Sequence, residues 1–311
     1  MRVCLMVEGQ EDVSWEQWVS LALACEEAGL EGLFRSDHYL SFGHPRERQV
    51  LDAWACLTGL AAITSRIQLG TMVSPATFRH PSNLAKTVVT ADHISNGRVE
   101  LGLGAGWNEP EHKAHGFPFP PTRERMDIFA EQMEIIHRSW NDAEPLDFHG
   151  KHYTLEGLVS LPKPVHEPHP NLIVGGQGGP RSCSIAARWA DEYNTNFANA
   201  AACAERRGRV VQACEKRGRE PLTFSLMTGC ILGLDGDDLG RRASKLMLQE
   251  GDPYEYLNSL PDVYIWGTVD TVPEKLAALE KAGVERVMMQ MQDHSDVEMV
   301  HVLGKIAELV A

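Results

Sequence analysis

The chain reads as a single α/β domain, a closed (β/α)8 or TIM barrel over residues 1–311. Three observations predict it. Eight short apolar runs alternate with amphipathic stretches from end to end, which implies parallel strands joined by helices. A length of 311 residues suits eight such units, which need roughly 250 or more. No composition shift divides the chain into halves, which disfavours a doubly wound sheet.

The elements follow in order. Residues 2–7 form the first strand. Residues 14–28 form a helix, with Ser14 at the N-cap, Gln17 at the capping-box position and Gly29 as its stop. Strand 32–35, helix 52–63 and strand 67–72 come next. Helix 81–95 opens with Pro81 in its first turn and runs to Asn96-Gly97. Strand 99–103 is the fourth. In the fourth helix, 122–140, Met126, Phe129, Met133, Ile136 and Trp140 fall on one stripe. The rhythm then breaks. Residues 148–153 read as a small hairpin, and Pro162, Pro164, Pro168 and Pro170 follow, so an insertion is expected after this helix. Alternation resumes with strand 171–174, helix 181–190, strand 192–194, helix 200–217, strand 223–234 and helix 238–249. A second irregular stretch around residues 251–266 precedes helix 273–282, strand 286–290 and helix 296–310.

Lys and Arg number 29 against 43 Asp and Glu, a net charge of −14, which opposes binding to nucleic acid or an anionic membrane. No run of 18 apolar residues exists, so no membrane span is expected. The opening apolar run turns polar at residues 8–12, too early for a signal-peptide core. Seven scattered cysteines without a C-x-x-C pair indicate neither a disulfide framework nor a zinc ribbon. A soluble, reduced, cytoplasmic protein with a small-molecule substrate is expected.

In a barrel of this kind, the loops after the strands share one face, and that face carries the active site. The run Gly175, Gly176, Gln177, Gly178, Gly179 opens a helix. Its backbone N–H groups, with Arg181, suit a phosphate; the alternative is a flexible turn. Gly102, Gly104 and Gly106 are not a dinucleotide fingerprint, because Trp107 or Glu109 occupies the place of the third glycine. His38, beside Asp37 at a strand end, suits a general acid or base, or a hydrogen-bonding loop residue. Glu109, Glu111, His112 and His115 cluster in sequence, but H-E-x-x-H is absent and no cysteine is near, so no metal is expected. Trp54, Trp107 and Trp266, with Tyr264, are candidates for an apolar substrate pocket, and ordinary burial accounts for Trp54 equally well. No nucleophile-base order legible as a hydrolase is present.

These loops carry a resemblance. Ser36-Asp37-His38, the stretch from Leu69-Gly70-Thr71 to Pro81, and Asp92-His93-Ile94-Ser95-Asn96-Gly97-Arg98 resemble the bacterial-luciferase-like superfamily of flavin- and deazaflavin-dependent oxidoreductases. So do residues 101–111 with their Gly-Ala-Gly-Trp-Asn-Glu core, residues 174–180, residues 187–194, and Gly267-Thr268. The likeness is closest to the subset assigned to coenzyme F420.

The resemblance implies a TIM barrel with its cofactor at the strand C-termini. It places the ring over the end of strand 3, at Met72, Val73 and Ser74, with a cis peptide at Met72–Val73. It assigns cofactor contacts to Gly104, Ala105, Gly106 and Asn108, and the phosphate to Gly176–Gly179, in agreement with the reading of that loop above. Asp37 and His38 would flank the ring, with His38 handling the proton and Asp37 orienting or balancing it. One departure stands out. Sugar-phosphate dehydrogenases of this superfamily carry a catalytic glutamate where Trp107 stands here, which disfavours sugar-phosphate oxidation and favours an apolar or aromatic substrate.

The implied activity is hydride transfer between deazaflavin (F420) and an organic substrate. The alternatives are an FMN-dependent two-component monooxygenase and a non-catalytic flavin-binding protein. A homodimer and a separate reductase are implied as partners.

Overall fold

The computed structural model describes residues 1–43 and 47–311. The strands are β1 (Arg2–Val7), β2 (Gly32–Arg35), β3 (Gln68–Thr71), β4 (Ser74–Pro75), β5 (Val99–Gly104), β6 (Leu146–His149), β7 (Thr154–Leu158), β8 (Leu172–Gly175), β9 (Glu192–Asn196), β10 (Thr223–Gly233), β11 (Ile265–Thr268) and β12 (Arg286–Met291). The helices are α1 (Trp15–Glu27), α2 (Ala53–Ile63), α3 (Pro81–Ser95), α4 (Glu109–His115), α5 (Thr122–Asn141), α6 (Pro180–Trp189), α7 (Ala200–Glu215), α8 (Gly236–Leu246), α9 (Pro253–Ser259), α10 (Val272–Lys281) and α11 (Val297–Leu309).

Eight parallel strands close a barrel in the order β1, β2, β3, β5, β8, β9, β10, β12, and β12 pairs with both β10 and β1. The fold is the TIM barrel expected. Local signals hold where they were read. The Ser14–Gln17 capping box is formed, and Asn96, in the left-handed region at φ 56°, ends α3. On α5, Phe129, Met133, Ile136 and Trp140 are buried as one stripe.

Three segments differ from expectation. Strand 3 stops at Thr71. Pairing resumes at Ser74, where β4 joins β5, and the intervening Met72–Val73 peptide is cis. The stretch 251–266 is not wholly irregular. It holds α9, capped by Asp252 with Pro253 in its first turn, and the start of β11. β10 is long enough to pair with β9 and β12 along its first half and with β11 along its second, so β11 adds an edge outside the closed ring. The loop after β5 also contains a helix, α4, with Pro110 in its first turn and Gly116 at its left-handed end. The hairpin β6–β7 and the proline-rich segment after it form the insertion expected after the fourth β/α unit.

The barrel is filled in layers, as this architecture requires. Cys4, Met6, Phe34, Met72, Ile173, Met227 and Met288 pack together inside it. Beside them Arg286 is fully buried, with Nη1 2.7 Å from Glu100 and 3.0 Å from Glu192. Burial pushes the Glu192 carboxyl above its usual range despite Arg286, whereas Arg286 and Asn171 outweigh burial at Glu100 and hold it low. This charged plug seals the barrel below the mouth.

Candidate active site

The mouth of the barrel contains a cavity of about 460 Å³ at the strand C-termini. Its wall is assembled from many strand ends: Glu8 after β1, Ser36, His38 and Phe42 after β2, Met72, Val73 and Pro75 after β3, residues 104–107 after β5, residues 175–177 after β8, Asn194, Asn196 and Phe197 at β9, and Met227 on β10. Val73 forms a step in this wall. A Cβ on Gly175 would stand 3.0 Å from both Val73 methyls, and one on Gly104 would stand 3.0 Å from one of them. Those two glycines, with Gly102, whose Cβ would stand 2.8 Å from a Val73 methyl, are what let the Val73 side chain seat against β5 and β8.

His38 faces this cavity, and its Nδ1 lies 2.7 Å from Glu111 Oε2. Glu111 is fully buried at the start of α4. Its Oε1 accepts the backbone N–H groups of Tyr39 and Leu40, and Asn108 Nδ2 donates to Oε2 at 3.3 Å. Burial alone would raise the Glu111 carboxyl. The bonds from His38, Tyr39 and Leu40 outweigh it and hold the group below the ordinary carboxylate range. A carboxylate on Nδ1 fixes that nitrogen as the N–H donor and leaves Nε2 as the acceptor. Above the histidine stand two exposed aromatic rings. Trp107 lies 5.8 Å from the imidazole, Phe42 4.7 Å, and the two rings are 5.1 Å apart.

The match to luciferase-like monooxygenases covers residues 3–286. This chain belongs to that family. Among curated luciferase-like relatives, it is 34% identical over 173 residues to the F420-dependent glucose-6-phosphate dehydrogenase of Kineococcus radiotolerans, a match covering 55% of this chain and 50% of that one. The chain spans about half the length of the curated relatives it matches. Two solved structures share the fold. An F420-dependent secondary alcohol dehydrogenase in complex with an F420–acetone adduct superposes with a TM-score of 0.82 at 18% identity, covering 100% of this chain and 99% of that one. The oxygenating constituent of 3,6-diketocamphane monooxygenase from Pseudomonas putida, in complex with FMN, gives 0.80 at 20% identity, covering 100% and 98%. At these identities the likeness is one of fold alone.

Within this luciferase-like barrel, His38, Met72, Val73, Gly104, Ala105, Gly106, Trp107, Gly175, Gly176 and Gln177 are brought together at the cavity. Several other residues read from the sequence lie elsewhere. Asp37 is fully buried behind the wall. It accepts Ser74 Oγ at 2.6 Å and is ion-paired with Arg79, which also reaches Asp52 at 2.6 Å. Ser74 is buried with it and accepts Trp54 Nε1 at 3.1 Å, so Trp54 packs behind the site rather than lining it. Trp266 packs near Ile231 and Leu239, with Lys275 Nζ 4.3 Å from its ring centre, away from the cavity. Asn108 is the residue before α4, its side chain turned to Glu111. Glu109 is exposed and bonded to Lys113. His112 is held between Thr77 and the Asn108 carbonyl.

The glycine segment is more committed than its sequence suggests. Gly178 N–H donates to Tyr193 OH at 2.8 Å and Gly176 N–H to the Asn194 carbonyl at 3.0 Å. Gly179 is the N-cap of α6, whose first turn has no side-chain cap. Arg181 points away to Asp127 and the Arg123 carbonyl. Arg209 instead brings its guanidinium beside Gly178, whereas Arg206 approaches by its backbone and donates Nη1 to Thr195 Oγ1 and the Asn196 carbonyl. The anion-binding capacity of this segment therefore rests on the open first turn of α6 and on Arg209 of α7.

Glu8, Phe42, Asn194 and Asn196 were not among the residues singled out from the sequence. The signal for them was available, since Glu8 and Phe42 follow barrel strands, as His38 does, and Asn194 and Asn196 lie in the C-terminal half of β9. Glu111 was noted only as a metal candidate.

Proposed function

We propose that this protein is an F420-dependent oxidoreductase that moves hydride between deazaflavin and a small organic substrate at the barrel mouth. The observation that carries the reading is the His38–Glu111 dyad facing a cavity with an apolar step at Met72–Val73. The residues present fit such a cofactor. Met72, Val73, Pro75 and Ala105 offer a largely apolar wall for a flat ring, and the open start of α6 with Arg209 offers a phosphate site beside it.

Bound deazaflavin would supply two-electron hydride chemistry. The chain's own residues do the rest. The wall at Val73 would hold the ring, and Trp107 and Phe42 cover His38 and limit water. His38 Nε2 takes the substrate proton on oxidation and returns it on reduction. Glu111 holds the imidazole in the required tautomer and stabilises it when protonated. Trp107, standing where the sugar-phosphate dehydrogenases of this family carry glutamate, favours an apolar or aromatic substrate.

The FMN-bearing neighbour supports a second reading, a two-component monooxygenase on the same frame. A paired anaerobic titration with F420 and FMN, each reduced and oxidised, separates the two. Tight binding of F420 alone supports hydride transfer, preference for reduced FMN moves the assignment to oxygenation, and binding of neither removes both. A homodimer and a separate cofactor-regenerating reductase belong to the proposal, and light scattering tests the first. A reducing, cytoplasmic setting belongs to it as well. The cysteines at 4, 25, 56, 183, 203, 214 and 230 are buried and free, and no helix among the described residues is long and apolar enough to cross a membrane.

A further inference from the structure

Glu8 is the first residue after β1, and its carboxylate lines the cavity with His38 and Phe42. It is held from behind by two neutral donors. Gln10 Nε2 donates to Oε2 at 2.7 Å, and Gln290 Nε2 donates to Oε1 at 2.7 Å. Gln10 is fully buried and cannot turn over. Its own Oε1 accepts Ser36 Oγ at 2.5 Å, and Ser36 Oγ accepts the Gly9 N–H. Each carboxylate oxygen thus has one hydrogen bond from the protein and a further lone pair to offer. Among the described residues no lysine or arginine lines this cavity, and Arg48, in the adjoining opening that Glu8 also borders, is ion-paired with Glu11 rather than with Glu8.

The position of Glu8 assigns it to the substrate rather than to the ring. In the closed order of eight strands, β1 is four steps from β8 in either direction, so Glu8 stands across the mouth from Gly175, against which the Val73 side chain packs. It faces the space that a ring seated on the Val73 step leaves open, an assignment that rests on the function proposed above. An acceptor-only group in a partly desolvated cavity favours a ligand that donates and disfavours one that brings another negative charge. We infer that Glu8 is a specificity-determining residue, selecting a substrate with a flat apolar body and a cationic or N–H-donating nitrogen, and rejecting phosphate and carboxylate esters or acids. This class differs from the sugar phosphate in the name of the Kineococcus relative.

A charge ladder of near-isosteric probes tests this: benzamidine, benzamide and benzoate, titrated calorimetrically into the full chain, alone and saturated with F420. The expected order is benzamidine, then benzamide, with benzoate weakest, and about a tenfold or greater gap between cation and anion. In Glu8→Gln the gap collapses, and Glu8→Asp keeps its sign. Glu8→Ala replaces Glu8→Gln if the new amide, opposed by those of Gln10 and Gln290, prevents folding. Benzoate binding as tightly as benzamidine to the wild type, failure of benzamidine to bind, or a gap unchanged by loss of the carboxylate would each overturn the inference. Failure of F420 to bind would remove the functional proposal instead, while the ladder on the cofactor-free chain still decides the role of Glu8.

Discussion

His38 and Glu111 are separated by 73 positions and joined by a 2.7 Å hydrogen bond, with Glu111 anchored by backbone N–H groups of the segment that follows His38. Helix α4 and the β2 loop therefore lock each other through one carboxylate. His38→Ala is expected to lower kcat by about 10²–10⁴-fold, the usual worth of a positioned acid-base group. Glu111→Gln is expected to lower kcat by about tenfold or more with little change in cofactor affinity. The double variant should be no slower than His38→Ala alone, since the two act as a unit. Single-turnover kinetics with each variant check this. Additive losses would show that Glu111 acts elsewhere.

Asp37 is adjacent to His38 in sequence but serves the frame. Asp37→Asn removes the buried carboxylate that pairs with half-buried Arg79 and is expected to cost about 3 kcal/mol of stability, because an incompletely compensated charge stays behind. Cofactor affinity of the folded protein should persist. Urea unfolding and a cofactor titration on one sample separate the two effects.

Gly175→Ala places a methyl 3.0 Å from both Val73 methyl groups. The expected result is a folded protein in which the Val73 step is displaced and cofactor affinity falls by about tenfold or more. Gly208→Ala, on α7 with no atom within 4 Å of the added methyl, is the control and should change affinity far less.

Glu26 gives a pH signature of stability far from the site. Its carboxylate accepts the backbone N–H groups of Ser65, Arg66 and Ile67 and the Ser65 hydroxyl. Burial raises its pKa, but these bonds prevail and lower it to about 2. A depressed folded pKa stabilises the protein above the unfolded value, and that stability is lost as pH falls through the folded value. Glu26→Gln should therefore melt about 2–4 °C lower at neutral pH. The difference from wild type should shrink as pH drops from the ordinary carboxylate range towards 2. A gap independent of pH would contradict the assignment.

What the sequence determined by itself is local or periodic. The β/α alternation, the Ser14–Gln17 cap, the stop at Asn96, the α5 stripe and the glycines at strand ends depend on backbone conformations that neighbouring residues decide. The placing of His38, Gly104 and Gly175 on one face followed from these, because parallel strands put all their C-termini at the same end of a barrel. Glu8 and Asn194 obey the same rule and were legible in principle.

Tertiary structure alone decided which side chains share the cavity. Asp37 and His38 are consecutive in the loop after β2, yet one turns to Arg79 and the other to the mouth. Trp54 and Trp107 are chemically alike, yet one is sealed under Ser74 and the other caps the site at 64% exposure. The partner of His38 comes from a seven-residue helix after a different strand, and the guanidinium beside the glycine segment is that of Arg209 on α7 rather than that of Arg181. Such pairings, His38 with Glu111 and Arg209 with the glycine segment, are set by where the closed ring brings separate strand ends together, which no local spacing encodes.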